Sequence, residues 1–211
     1  MNRWLLGALA LVLVLLGVGA YLATRTSSPA MAKSTAVSET AAATWGEGKQ
    51  RAPAFALRDQ NGAPVSLAAL HGRPVIVTFI DPLCRDYCPI EAQHLSDVVR
   101  ALPPAQKPTI VAISVNVYGN ARSNLLLDAR KWRLVPQWRW AIGSSSALGS
   151  VWRAYHIAVM ASTKTVTGVK VHTIVHTEAA YLIDANGFQR ALFLWPYSAG
   201  AVERSLRALT S

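Results

Sequence analysis

Two short apolar runs rich in β-branched residues, Pro74 to Ile80 and Thr109 to Val115, constrain this chain more than any other feature. Runs of that length and composition read as buried strands. Between them, Pro89 to Leu102 places Ile90, Leu95, Val98, Val99 and Leu102 at helical spacing, with Pro89 suited to the first helical position. The centre of the chain is therefore strand, helix, strand. Ser123 to Trp132 and Ser146 to Ala154 read as further helices on either side of a weaker strand, Trp138 to Ile142. Upstream, Phe55-Ala56-Leu57 and Pro64-Val65-Ser66 flank Asn61-Gly62, a hairpin signal. Downstream, Ile157 to Val175 contains Thr167-Gly168 and reads as an extended hairpin-like insertion. Ala179 to Ile183 and Phe188 to Leu194, joined by Ala185-Asn186-Gly187, form a second hairpin, and Ser198 to Leu209 closes the chain as an amphipathic helix. This order specifies an α/β layered sheet.

The N-terminal quarter has a different character. Trp4 to Ala23 is a run of 20 residues without a charge. At about 1.5 Å of rise per residue it matches a bilayer's hydrocarbon core of roughly 30 Å. Residues 1–23 are read as a transmembrane anchor, with a cleaved signal peptide as the alternative, since Val18-Gly19-Ala20 and Ala30-Met31-Ala32 resemble small-residue cleavage sites. Either reading exports the rest of the chain. Residues 24–50 are expected to be a flexible linker, because Thr24 to Thr44 is mostly Ala, Ser and Thr without apolar periodicity. Residues 51–211 are the expected folded domain, on the extracytoplasmic (periplasmic) side of a cell membrane. Across the chain, 52% apolar and 15% charged residues exclude intrinsic disorder. The 21 basic and 11 acidic side chains, net +10, suit a surface beside anionic lipid headgroups, or docking to an acidic partner through Arg130, Lys131, Arg133, Arg139 and Arg153. No nucleic-acid-binding motif is present, so no nucleic-acid partner is expected.

The chain has two cysteines, which excludes a disulfide-dense scaffold and a four-cysteine zinc site. Cys84 and Cys88 come just after the first buried strand, in Asp81-Pro82-Leu83-Cys84-Arg85-Asp86-Tyr87-Cys88-Pro89. Pro89 disfavours helix at Cys88, so both cysteines are expected in a loop, with Cys88 near the helix N-cap. Unpaired amides, the helix dipole and Arg85 there favour thiolate. Such a pair can form a reversible disulfide or chelate one soft metal ion. A static structural disulfide is a weaker reading, since a bridge four residues apart closes almost no loop. A soft ion held by two thiolates needs a further ligand. His71, His94 and His156 read as surface or structural residues. His172 and His176 lie on one face of an extended stretch but roughly 13 Å apart, so only one of them serves a single ion.

The motif Cys84 to Pro89 is similar to the Cys-x-x-x-Cys-Pro motif of the Sco/SenC family of copper proteins. Downstream, His176-Thr177 followed by Tyr181-Leu182-Ile183-Asp184 and Gly187 resembles the family's His-Ser/Thr…Tyr-Leu-Ile-Asp-x-x-Gly segment. Ala52-Pro53-Ala54-Phe55 through Pro74 resembles a redoxin opening. The resemblance covers roughly residues 50 to 210. It implies a thioredoxin-like (redoxin) fold with a β-hairpin insertion, preceded by one membrane helix, and copper, Cu(I) or Cu(II), held by Cys84, Cys88 and His176. It also implies a chaperone that delivers copper to a respiratory oxidase subunit or another copper protein. Three positions depart from the family pattern: Val175 replaces an Asp before the histidine, Asp81-Pro82 replaces a Thr before the first cysteine, and Asn116 to Asn120 replaces an Asp-Pro loop.

A thiol–disulfide oxidoreductase using Cys84 and Cys88 as a redox pair, and keeping a partner's cysteines reduced, is the alternative. Against it stand the three-residue spacer, where Cys-x-x-Cys is usual, and the lack of any proline between Pro136 and Pro196. No Pro-x-x-x-Thr-x-x-Cys pattern surrounds Cys84, so a peroxidase is not expected.

Overall fold

The computed structural model describes residues 38–210. Its strands are β1 (Ala43–Thr44), β2 (Ala56–Arg58), β3 (Pro64–Ser66), β4 (Val75–Ile80), β5 (Thr109–Ser114), β6 (Trp138–Ala141), β7 (Val159–Val166), β8 (Val169–His176), β9 (Ala179–Ile183) and β10 (Gln189–Leu194). Its helices are α1 (Tyr87–Ala101), α2 (Arg122–Lys131), α3 (Ser145–Ala154) and α4 (Ala199–Thr210). Six strands form one sheet in the order β1-β10-β9-β4-β5-β6.

The two β-branched runs make the middle of that sheet. β4 and β5 pair in parallel, Val75 opposite Thr109 through Ile80 opposite Ser114. Parallel neighbours need a crossover, and α1 supplies it. β6 adds in parallel to β5, whereas β9 pairs antiparallel to β4. All six residues of β4 are buried. Successive side chains point to opposite faces, so the one strand feeds two cores. Val75, Val77 and Phe79 join Val111, Ile113, Leu148 and Tyr155 under α3. Ile76 and Ile80 join Ile110, Leu95, Val99 and Val202 under α1 and α4. Each such side chain contributes about 1.5–3 kcal/mol on full burial.

β2 and β3 form the expected first hairpin, with Gly62 at φ 84° in its turn. β7 and β8 form the hairpin insertion, a separate two-stranded ribbon with Val159 opposite His176.

Three expectations need correction. Helix α1 begins at Tyr87, so Cys88 lies inside its first turn and not in a loop. A proline in that turn lacks only an N–H that has no helical partner anyway, and the steric bias against helix before it is overridden. Second, Ile90 is 45% exposed, and the buried face of α1 runs through Cys88, Glu91, Ala92, Leu95, Val98 and Val99. Third, residues 38–50, expected within the linker, run along the sheet edge. Ser38 bridges to Tyr197, Ala43–Thr44 pairs with Leu192 and Ala191, and Trp45 N–H donates to the Arg190 carbonyl (3.0 Å). The unpaired backbone of β10 recruits them, an attraction that needs no apolar side-chain pattern. The anchor expected at Trp4–Ala23 and the earlier part of the linker lie outside the described residues. Among the described residues no helix is long and apolar enough to cross a membrane.

Candidate metal centre

The end of β4, the first turn of α1 and the end of β8 meet at one corner of the sheet. Asp81 begins the connection from β4 to α1. Its carboxylate accepts from Leu83 N–H (2.8 Å), and its carbonyl accepts from Cys84 N–H (3.1 Å). This tight turn presents Cys84 at the surface, half-buried. The turn Val117–Gly119 presses on it from outside. A Cβ on Gly119 would lie 2.8 Å from Pro82 Cβ, so only glycine permits that approach.

Arg85 does not act on the thiols as expected. Its guanidinium donates to the carbonyls of Pro82 (2.9 Å) and Cys84 (2.8 Å) and lies 3.6 Å from buried Asp128. The Cys84 sulfur is stabilised by other donors. The Cys88 thiol hydrogen-bonds to it, and the amides of Cys88, Asp86 and Tyr87 point at it, which holds Cys84 at a pKa of about 6 despite partial burial. These amides are the unsatisfied N–H groups of the α1 terminus. Cys88 titrates in the opposite direction. It donates to Cys84, is 1% exposed, and sits beside the Cys84 charge, so its thiol is pushed far up. Both thiols are free.

His176 is the last residue of β8. Its Nδ1–H donates to the Thr177 carbonyl (3.1 Å), and its Nε2 faces Cys88 Sγ at 3.8 Å. Burial keeps the imidazole below its ordinary pKa, hence neutral. The lone pair on Nε2 is thus free to ligate. Thr177 is itself pinned to the residue before β7: its N–H donates to Ala158 O (3.0 Å), and its hydroxyl accepts from Ala158 N–H (3.2 Å). For a first-row ion with bonds of about 2.3 Å to sulfur and 2.0–2.1 Å to nitrogen, tetrahedral to trigonal angles put S and N roughly 3.5–3.8 Å apart. The observed separation fits a shared ion.

His172 is engaged elsewhere. Its ring stacks on Tyr118 (centroids 4.8 Å apart, planes 23°), and its Nδ1 lies 2.9 Å from Thr163 Oγ1. His94 packs at a tilt against Trp195, and His71 approaches Gly187. Within the basic group of the sequence, Arg139 is bound to Asp59 (2.8 Å) and Arg153 to Ser150 (3.2 Å). Val175, at the departure from the family pattern, is 56% exposed and turned to the opposite face from its neighbour His176.

Two carboxylates at the corner escaped the sequence reading. Glu178 places an oxygen within 4.8 Å of both Cys88 Sγ and a ring nitrogen of His176, whereas Cys84 lies outside that group. The signal was present in the chain: residues i and i+2 of an extended segment share a face, and Glu178 follows His176 by two. Burial, then the Cys84 charge, raises the Glu178 pKa. Glu91, on the buried face of α1, accepts from Thr78 Oγ1 (2.9 Å) and Tyr197 OH (3.0 Å), while its Oε2 has no partner. Complete burial raises its pKa to about 8. A carboxylate at helical spacing between Cys88 and Leu95 was the missed sign.

The arrangement has two chemical capacities. Cys88 and a neutral His176 stand within reach of one soft cation, while Cys84, already inclined to ionise, lies beside Cys88 and outside the Cys88–His176–Glu178 group. A half-buried low-pKa thiol touching a second thiol also has the form of a nucleophile with a resolving partner.

Comparison with known proteins adds the family. No curated protein sequence matches the chain. Among solved structures, Bradyrhizobium japonicum ScoI with copper bound is similar at TM-score 0.65 and 23% identity, covering 75% of this chain and 99% of that one. Yeast Sco1 with copper bound aligns at TM-score 0.66 and 16% identity, over 76% of this chain and 88% of that one. BsSco, described as having a disulfide switch and as a member of the Sco family of cytochrome c oxidase assembly proteins, aligns at TM-score 0.62 and 19% identity, over 82% and 98%. The mixed α/β fold is the one these Sco proteins share. The family model SCO1/SenC matches residues 44–211, and the chain therefore belongs to the SCO1/SenC family.

Proposed function

We propose that this protein is a membrane-tethered copper chaperone, anchored by residues 1–23, that carries copper on Cys84, Cys88 and His176 and passes it to a copper centre of a respiratory oxidase. One observation carries the reading. The fold brings His176 Nε2 to 3.8 Å from Cys88 Sγ across 88 residues of sequence, with the Cys84 sulfur hydrogen-bonded to Cys88. Thiolates suit Cu(I), and imidazole suits both copper states. Copper is the cargo here. Cys84 ionises before any ion arrives, Cys88 must lose its proton when the ion enters, and neutral His176 offers Nε2 with no proton to release. The copper-bound ScoI and Sco1 structures, and the oxidase-assembly role stated for the Sco family, support the choice of metal and client.

Leu83, Tyr87 and Ile90 are exposed apolar residues within two positions of a proposed cysteine ligand. They give a client protein a surface to dock on while the ion changes hands.

The alternative, a thiol–disulfide oxidoreductase, draws on the low pKa of Cys84 beside a protonated Cys88. One experiment separates the two. The reduced chain is loaded with Cu(I) under argon and compared with the disulfide form and with a Cys84→Ser, Cys88→Ser double variant. About one copper per reduced chain, and none in the other two, is the expected result. Equal copper in the oxidised and reduced forms defeats the two-thiolate site and favours the oxidoreductase.

A further inference from the structure

We infer that Glu178 is a fourth donor of this site, an oxygen ligand taken up when the ion is Cu(II) and left free when it is Cu(I). The inference rests on the copper reading above.

The geometry points there first. Cys88, His176 and Glu178 each bring one ligand atom within 4.8 Å of the other two, and Cys84 is not part of that group. The corner thus holds two overlapping sets of donors that share Cys88: a pair of adjacent sulfurs, and a sulfur–nitrogen–oxygen triangle. Local chain geometry makes the triangle. His176 ends β8, Ala179 begins β9, and the extended connection leaves His176 and Glu178 on one face. The backbone on both sides is held, Thr177 by Ala158 and Glu178 O by Trp195 N–H (3.1 Å), so the carboxylate is aimed by the sheet.

The second observation is what Glu178 lacks. Its carboxylate is half-buried, yet among the described residues it makes no hydrogen bond and no ion pair. A carboxylate taken partly out of water without a cation or donor is costly, and the cost is relieved when a cation binds beside it. Among the described residues, the side-chain donors grouped with it are a cysteine and a neutral histidine, both ordinary metal ligands.

Donor chemistry then selects the oxidation state. Thiolates satisfy a soft Cu(I) ion in low coordination, and a carboxylate adds little to it. Cu(II) takes tetragonal sites containing nitrogen and oxygen donors and gains from a hard anionic ligand. Glu178 therefore raises affinity for Cu(II) selectively, which lets the chain retain the ion in either state.

The test uses the full-length chain in mild detergent, reduced and under argon, with copper supplied against a competing chelator. Cu(I) and Cu(II) affinities and the Cu(II) electron paramagnetic resonance spectrum are read for wild type, Glu178→Gln and Glu178→Asp. Glu178→Gln is expected to lower Cu(II) affinity at least tenfold, shift the Cu(II) spectrum, and leave Cu(I) affinity within threefold. Glu178→Asp, which keeps the charge on a shorter arm, is expected to move both Cu(II) readings in the same direction by less, and serves if the glutamine variant misfolds. Wild-type spectrum and Cu(II) affinity in both variants overturn the inference and leave the copper reading standing. An equal loss of both copper states also overturns it, since selectivity is its content. If wild type holds neither state of copper, the copper reading and this inference fall together.

Discussion

Cys84 offers the sharpest quantitative test of the site. A pKa of about 6 puts half of it in the thiolate form at pH 6. An ordinary thiol of pKa ~8.5 is about 0.3% ionised there, so the thiolate advantage is roughly 150-fold. Lower basicity also means lower nucleophilicity. With a Brønsted slope of about 0.4–0.5 over 2.5 units, the intrinsic loss is about 10–18-fold. The two effects leave Cys84 about tenfold faster than a model thiol at pH 6. Above pH 7 its rate should level off, whereas the model thiol keeps accelerating to about pH 9. Partial burial scales the whole curve, so the shape of the profile is the readout and not the absolute rate. The assay is iodoacetamide labelling of the reduced chain from pH 5 to 9.5, with mass spectrometry to assign the label. Cys88, 1% exposed and protonated, should label only on unfolding. Cys88→Ala removes the largest stabilising contact of the Cys84 thiolate, so the inflection should move up in pH. An inflection at pH 8 or above in the wild type, or one that Cys88→Ala leaves in place, would refute the account of this thiol pair.

Other expectations can be checked separately. His176→Ala should weaken copper binding at least 100-fold, and His172→Ala less than threefold, because His172 is occupied by Tyr118 and Thr163; equal losses by chelator competition contradict the assignment. Glu91 has a folded pKa of about 8, above its unfolded value near 4.3, so its favourable contribution is complete below pH 4.3 and is lost as pH rises through 8. At about 1.4 kcal/mol per pH unit, wild type should lose roughly 3.5 kcal/mol between pH 5 and 8, and Glu91→Gln much less; urea unfolding at both pH values reads this, and parallel losses count against it. Gly119→Ala should destabilise by about 1–3 kcal/mol, because its methyl group meets Pro82 at 2.8 Å, and should slow copper uptake by shifting the cysteine turn; an unchanged melting point argues that the turn yields freely. The chain should fractionate with membranes and resist high-salt extraction if Trp4–Ala23 is an anchor, and recovery of soluble protein with a new N-terminus after Ala20 or Ala32 would establish cleavage instead.

Periodicity and turn residues together determined the order of elements from β2 onward. The β-branched runs at Pro74–Ile80 and Thr109–Val115, the Gly-containing turns at 61–62, 167–168 and 185–187, and the helical spacings all reappear as β4, β5, three hairpins and four helices. These signals are local: a strand buried on both faces must be apolar throughout, and a tight turn needs glycine at positive φ. The cysteine motif and the segment after His176 also pointed to the chemistry, because ligand type and spacing are written in the chain. Tertiary structure decided what depends on through-space approach. Only the docking of β8 beside the start of α1 sets Cys88 against His176, and with it brings Glu178, two residues further on, to the same thiol. Glu91 lies in an apolar stripe where its charge looks like an error until Thr78 and Tyr197, distant in sequence, supply its hydrogen bonds. Residues 38–50 lack any apolar period, yet they pair with β10, because an open sheet edge binds backbone through groups that every residue carries.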